Sequence, residues 1–313
     1  MGIMRVVFAG TPLIAVPTLT ALIDAGHDVV AVLTQPDAPG KRGRDLVPSP
    51  VKIAATELEL PVLTPTKASD PETVDHIASL EADVAAVVAF GQILRPALLS
   101  ATRHGWVNLH FSVLPAWRGA APVQRAIMAG DDVTGASTFV IEEGLDTGPV
   151  IGSLTERIRS TDTAGDLLER LAGVGAGLMV HSLEALVGGY AAPIAQAEDG
   201  VSYAHKLSRQ DAYVAWELPA HIVDRQVRGV TPAPGAWTTL PDGTVAKLGP
   251  LRPRPGTGLP PGQVRIEGDE ILVGTGTGPV ALSWIAPSGR KAMRATDWWR
   301  GTRYGDVAIL GEA

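Results

Sequence analysis

Met4-Arg5-Val6-Val7-Phe8-Ala9, the turn Gly10-Thr11-Pro12, a helical pattern over 15–25 closed by Gly26, and Val29-Val30-Ala31-Val32-Leu33 form the stretch that decides the fold. The first and last runs are apolar and strand-sized, while Leu19, Leu22 and Ile23 share one helical face between them. Strand, crossover helix and strand make a βαβ unit, which sets the two strands parallel and implies helices packed on a sheet. The same periodicities extend the pattern. Further strands are predicted at 84–89, 106–109 and 137–141. Helices are predicted at 51–58, at 71–80 with Asp70 as N-cap, at Pro122–Ala129 and at 164–186. The expected class is α/β, a Rossmann-like domain on a parallel-type sheet. Residues 35–50 form a polar Pro/Gly loop longer than compact connections usually are, which marks it as functional or mobile.

After residue 203 the texture changes. A helix is predicted at 219–228, followed by short β runs at 236–240, 245–248, 263–266, 271–273 and 280–285. Turn chemistry separates them: Pro241-Asp242-Gly243, Pro260-Pro261-Gly262 and Glu267-Gly268-Asp269. This describes a smaller β-barrel, OB-like, with a flexible loop expected over 249–261. The domains expected are 1–203 and 204–313, with a linker near 190–210; a chain of 313 residues suits two cores better than one. Trp237, Trp284, Trp298 and Trp299 are expected as barrel core and closing-helix contacts.

Hydrophobic content of 45% and charge of 19% fit an ordinary soluble protein. The absence of cysteine removes disulfides, thiolate zinc sites and a cysteine nucleophile together, and fits a reducing cytoplasm. The opening residues carry no charged segment followed by a long apolar stretch, so neither a secretion signal nor a membrane span is expected. The net charge of −7 argues against a nucleic-acid partner until its distribution is considered. Residues 1–205 hold 13 basic and 23 acidic side chains, whereas 206–313 hold 13 and 10. Within the acidic part, Lys41-Arg42-Gly43-Arg44, with Lys52 after it, is a local basic exception and a candidate anion contact.

The chemistry concentrates in Asn108-Leu109-His110-Phe111-Ser112-Val113-Leu114-Pro115, then Trp117-Arg118-Gly119, then Gly144-Leu145-Asp146-Thr147-Gly148. Asn108 and His110 stand two apart on a strand and so point to one side where the chain leaves the sheet. Asp146 between glycines equally suits a simple turn. Ser112 lacks the glycine-flanked elbow of a serine nucleophile. Gly10-Thr11-Pro12 offers no second spaced glycine, so a nicotinamide oxidoreductase loses its main support. Gly173, Gly175 and Gly177 read as helix packing, and Gly274, Gly276 and Gly278 as a hairpin loop. The other six histidines read as structural.

From about Arg5 to Trp299 the chain resembles the folate-dependent formyltransferases, through Asn108-Leu109-His110, Ser112-Val113-Leu114-Pro115, Gly119 and Asp146. Thr34-Gln35-Pro36-Asp37, Pro48-Ser49-Pro50-Val51-Lys52, Trp117 to Arg125 and Gly289-Arg290-Lys291-Ala292-Met293 are similar to the methionyl-tRNA formyltransferase branch of that family. The resemblance implies 10-formyltetrahydrofolate as formyl donor, with no metal, and the α-amino group of methionyl initiator tRNA as acceptor. It implies that Ser112, Val113, Leu114 and Pro115 line the folate pterin pocket and that Lys41, Arg42 and Arg44 contact tRNA. A cytoplasmic monomer of translation initiation is expected.

Formyl transfer needs an amine to attack the formyl carbon and something to hold the resulting oxyanion. Asn108 offers an amide donor for it. His110 can shuttle a proton or donate when charged, and Asp146 beside it would orient the ring and favour the imidazolium. Two other readings stay open beside this one: a formyltransferase acting on an amino-sugar nucleotide, and a non-catalytic RNA-binding protein on the same scaffold.

Overall fold

The computed structural model describes residues 2–40, 45–256, 258–302, 304 and 308–311. The chain divides into two compact units. Unit 1 comprises Met1–Gly119, Val133–Arg157 and Leu168–Ala204; unit 2 comprises Ala120–Asp132, Ile158–Leu167 and His205–Ala313.

Unit 1 is built on β1 (Arg5–Gly10), β2 (Asp28–Leu33), the short pair β3 (Ala38–Pro39) and β4 (Leu46–Val47), β5 (Val62–Leu63), β6 (Val84–Val88), β7 (Trp106–His110), β8 (Val133–Val140) and β9 (Val150–Arg157). Seven of these form one sheet in the order β5-β2-β1-β6-β7-β8-β9. The first five run parallel, as the opening βαβ unit requires. The sheet then reverses: β7–β8 and β8–β9 are antiparallel. Val6, Val7, Phe8 and Ala9 are fully buried, the mark of a central strand covered on both faces. Burying Phe8 alone is worth about 1.5–3 kcal/mol.

Periodicity missed β9, along with the two-residue strands β3, β4 and β5. β9 is an edge strand whose residues are half-buried or exposed along its whole length, so it has no apolar run to detect. It pairs closely with β8, because a Cβ on Gly135 would fall 1.9 Å from the Leu154 carbonyl oxygen.

The helix Pro50–Glu57 begins where Ser49 Oγ accepts the Lys52 N–H at 3.0 Å. Asp70 occupies the N-cap position of Pro71–Ser79 as expected, yet its carboxylate makes no capping bond. Helix Ala164–Val187 is long and apolar enough to cross a bilayer by length and composition alone. It is instead a core helix: Leu171, Met179 and Leu183 are fully buried, and Gly175 sits against Leu109 of β7, with an added Cβ only 3.0 Å from Leu109 Cδ2. Gly173 and Gly177 meet nothing within 4 Å, so close packing explains one of the three helical glycines.

Unit 2 holds two antiparallel sheets. Ala246, Leu248 and Ile285 of one sheet share a core with Val264, Ile271, Val273, Val280 and Leu282 of the other, giving the barrel-like domain. The loop expected over 249–261 contains a short strand, Leu251–Pro253, paired with Val280–Leu282. Trp298 is buried and Trp237 and Trp299 pack on this core, as expected for barrel and closing-helix residues. Helices Pro122–Ala129 and Ala220–Gly229 cross closely, since a Cβ on Gly229 would lie 3.0 Å from the Gln124 carbonyl oxygen.

Candidate active site

β7 places two polar side chains on one face by its period of two. Asn108 is half-buried and aligned between Val87 of β6 and Phe139 of β8. Its amide has no hydrogen-bond partner among the described residues. His110 is buried at the strand's carboxyl end, edge-on to the Phe139 ring. Its Nε2–H donates to the Trp117 carbonyl at 2.8 Å, which leaves Nδ1 with the lone pair of the neutral ring.

Asp146 reaches this histidine by an indirect route. β8 ends at Val140, paired with Val107 near the start of β7, so the following loop must return about 10 Å along the strands to His110. It does so, and Asp146 Oδ2 lies 3.6 Å from His110 Nδ1. That is ion-pair range and too long for a direct hydrogen bond. The same oxygen accepts the Gly119 N–H at 2.7 Å.

Two of these positions are strained. Trp117 and Asp146 take φ values of 60° and 53°, left-handed conformations that cost about 1–3 kcal/mol each and persist only where surrounding bonds hold them. Ser202 supplies part of that support, since its Oγ accepts the Trp117 N–H at 2.9 Å. Gly119 has φ 124° and passes so close to Ala204 that a Cβ would lie 2.8 Å from its carbonyl oxygen. Gln196 adds to it: Arg118 donates to its Oε1, and its Nε2 donates to the Asp146 and Gly148 carbonyls.

The segment Ser112–Pro115 is pinned from below. Ser112 is fully buried and donates to the Ala116 carbonyl at 2.6 Å. Ser137 Oγ donates to the Ser112 carbonyl at 2.8 Å and accepts the Leu114 N–H at 3.1 Å. Ser137, Gln196 and Ser202 are the site residues that sequence reasoning missed. Each is a lone polar residue in no recognisable spacing, so no local signal marks it.

Burial pushes the His110 imidazole below its ordinary 6.5, outweighing the upward pull of the Asp146 carboxylate and of the Trp117 carbonyl. The attraction expected between ring and carboxylate is present, but it is the smaller effect. Near neutral pH the site thus holds an amide donor unclaimed among the described residues, on the same strand face as an imidazole lone pair backed by a carboxylate. Such a set can hold an oxygen while it gains charge and take up a proton next to it.

The basic loop stands differently. Lys41, Arg42 and Arg44 lie outside the described residues. Lys52 is engaged by Asp37, with Nζ 2.8 Å from both carboxylate oxygens. No group of three or more His, Cys, Asp or Glu side chains among the described residues could hold a metal ion. A cavity of 310 Å³ in unit 2, between 258–261 and 275–278, is lined by no charged or imidazole side chain, so it offers no comparable chemistry.

Residues 4–183 match the family described as formyl transferase, and residues 206–303 match the formyl transferase C-terminal domain. The chain is 56% identical over 309 residues to the methionyl-tRNA formyltransferase of Arthrobacter sp. (strain FB24), covering 98% of this chain and 99% of that protein. Among solved structures it is similar to an N-formyltransferase from Helicobacter canadensis in complex with folinic acid and dTDP-3-aminofucose, with TM-score 0.68, 18% identity, and 90% and 98% of the two chains covered. HypX from Aquifex aeolicus in complex with tetrahydrofolic acid gives TM-score 0.67 at 16% identity, over 95% of this chain and 47% of that one. At these identities the two structures speak for the fold; this chain spans about half the length of HypX.

Proposed function

The chain belongs to the methionyl-tRNA formyltransferase family, and on that premise we propose that it transfers the formyl group of 10-formyltetrahydrofolate to the α-amino group of methionyl initiator tRNA. The observation that carries the reading is the Asn108 amide, without a hydrogen-bond partner among the described residues, on the same strand face as His110, whose Nδ1 lies 3.6 Å from Asp146. An amide with both donors unclaimed among the described residues fits a carbonyl oxygen of a bound donor. The pinned backbone of Ser112, Val113, Leu114 and Pro115 is the part that would line the folate pocket.

Bound 10-formyltetrahydrofolate supplies an activated formyl group, and the chain's residues do the rest. Asn108 donates to the formyl oxygen as charge grows on it, a contact worth on the order of 10²–10³ in rate. His110 Nδ1, unprotonated because of burial, takes the proton that the attacking amine must lose. Once charged, the ring keeps Nε2–H on Trp117 and holds its new Nδ1–H beside Asp146. Asp146 thereby stabilises the charge at the moment it forms. As the tetrahedral centre collapses and the bond from the formyl carbon to N10 breaks, that proton passes to N10 and tetrahydrofolate leaves.

For the acceptor, Lys41, Arg42 and Arg44 are assigned to tRNA phosphates, with residues 204–313 as the second part of the footprint. The excess of basic over acidic side chains in 206–313, against the acidic first part, supports that division. The protein is taken to work as a monomer in the cytoplasm. The test is incubation with 10-formyltetrahydrofolate and charged tRNA, scoring N-formyl product. Formylation of methionyl initiator tRNA, well above elongator methionyl-tRNA or an amino-sugar nucleotide, supports the proposal. Preference for the amino sugar, or tRNA binding without product, sinks it.

A further inference from the structure

Gln196 lies in the segment that follows helix Ala164–Val187, distant in sequence from every motif residue, yet its side chain joins the two loops of the site. Its Oε1 accepts Nε and Nη2 of Arg118 at 3.0 and 2.7 Å, and its Nε2 donates to the carbonyls of Asp146 and Gly148 at 2.7 and 2.8 Å. Two donated and two accepted bonds exhaust what a glutamine amide can make, so the side chain has one orientation. Its own backbone is fixed as well. Two residues earlier, Ile194 exchanges both backbone hydrogen bonds with Val150 at the start of β9. Further on, Ser202 and Ala204 bond the backbone of Arg118 on either side of Tyr203.

The Asp146 loop depends on this anchoring. At its base it is held by Ile141 N–H to the Trp106 carbonyl and by Val140 N–H to the Pro149 carbonyl. Its tip, carried away from that base towards His110, receives hydrogen bonds from two residues outside the loop among the described residues, Gly119 and Gln196. Asp146 is left-handed there, at φ 53°, and Trp117, which accepts from His110, is left-handed at 60°. The Arg118–Gln196 pair therefore closes a ring running from His110 through Trp117, Arg118, Gln196 and Asp146 back to His110.

We propose that Gln196 is a positioning residue for the formyl transfer, a clamp that, with Arg118, holds Asp146 beside His110. The inference rests on the function proposed above. Gln196 touches no substrate; it acts through the placement of Asp146. Without the clamp, the carboxylate retreats from the imidazole, and displacement of a catalytic group by about 1 Å is enough to cost up to about 100-fold.

The experiment uses the full chain with two substitutions. Gln196→Met keeps length and neutrality and removes all four hydrogen bonds; Gln196→Glu keeps the bonds from Arg118 and removes both donations to the Asp146 loop. In both, kcat for formylation should fall about 10- to 100-fold, with KM for tRNA and folate donor within about threefold. A second readout needs no substrate: the His110 imidazole titration followed by NMR. Since Asp146 raises the ring's affinity for protons, Gln196→Met should move the midpoint to lower pH, towards that of Asp146→Asn. A kcat within about threefold of wild type, or an unmoved His110 midpoint in Gln196→Met, overturns the clamp. Should Gln196→Met not fold, Gln196→Glu decides the matter on kcat alone. If the wild type formylates no tRNA, the functional reading fails while the titration still judges the clamp.

Discussion

Replacing Asp146 by Asn changes a charge and leaves the loop's main hydrogen bond available. The asparagine oxygen can still accept the Gly119 N–H that Asp146 Oδ2 receives at 2.7 Å, so the effect isolates electrostatics from placement. The carboxylate and ring nitrogen are 3.6 Å apart, with side-chain exposures of 18% and 5%. Coulomb's law at an effective dielectric of about 20 gives about 4–5 kcal/mol between that carboxylate and an imidazolium. Water reaching the partly exposed carboxylate screens some of this, and about 2 kcal/mol, or about 30-fold in rate, is the resulting expectation. It should appear in kcat, because the charge on His110 exists only once the amine has given up its proton. Single-turnover formylation with saturating donor measures it directly. A loss under about threefold, with tRNA and folate binding intact, would refute the idea that Asp146 stabilises a forming imidazolium.

Three further outcomes follow from the same geometry. Asn108→Ala should lower turnover about 10²–10³-fold while leaving tRNA affinity nearly unchanged; parallel losses in both would contradict the role given to its amide. Neutralising Arg42 together with Arg44 should weaken tRNA use and flatten its salt dependence by about a unit of slope for each phosphate that the loop no longer neutralises, and an unchanged slope removes that loop from the interface. Because burial lowers the folded-state pKa of His110, the unfolded ring binds protons more readily, so its contribution to stability is lost as pH falls from above 6.5 towards the folded value. Urea melts should therefore decline more steeply through that window in the wild type than in His110→Gln; equal slopes would show that the ring is not held neutral by the fold.

The parts of this structure that the sequence disclosed are those that repeat. Val6 to Ala9, Leu19, Leu22 and Val29 to Leu33 follow the periods of strand and helix, and the parallel core of the sheet stands where they indicate. Asn108 and His110 were legible because two residues of spacing on a strand guarantee one face. The reversal of the sheet at β8 was not, since the period of a buried strand says nothing of its direction. β9 was missed outright because it is an edge strand with little buried surface and thus no apolar signature. Nor was the assignment of Ala120–Asp132 and Ile158–Leu167 to the second unit legible, as it depends on residues distant in sequence. The same reason hid Gln196 and Ser137. Their importance comes from hydrogen bonds to loops 48–78 and 23–25 residues away, and a single Gln or Ser carries no pattern of its own.

The amide of Asn108 and the ring of His110, backed by Asp146, are together assigned the transfer of a formyl group onto the amine of methionyl initiator tRNA. The most direct test of that assignment is single-turnover formylation of the charged tRNA by wild type and His110→Ala, with tRNA binding measured in parallel. Formyl-methionyl product is expected from the wild type, and from the variant equal binding with almost no product. A variant that formylates at the wild-type rate, or a wild type that leaves the amine unmodified, would contradict it.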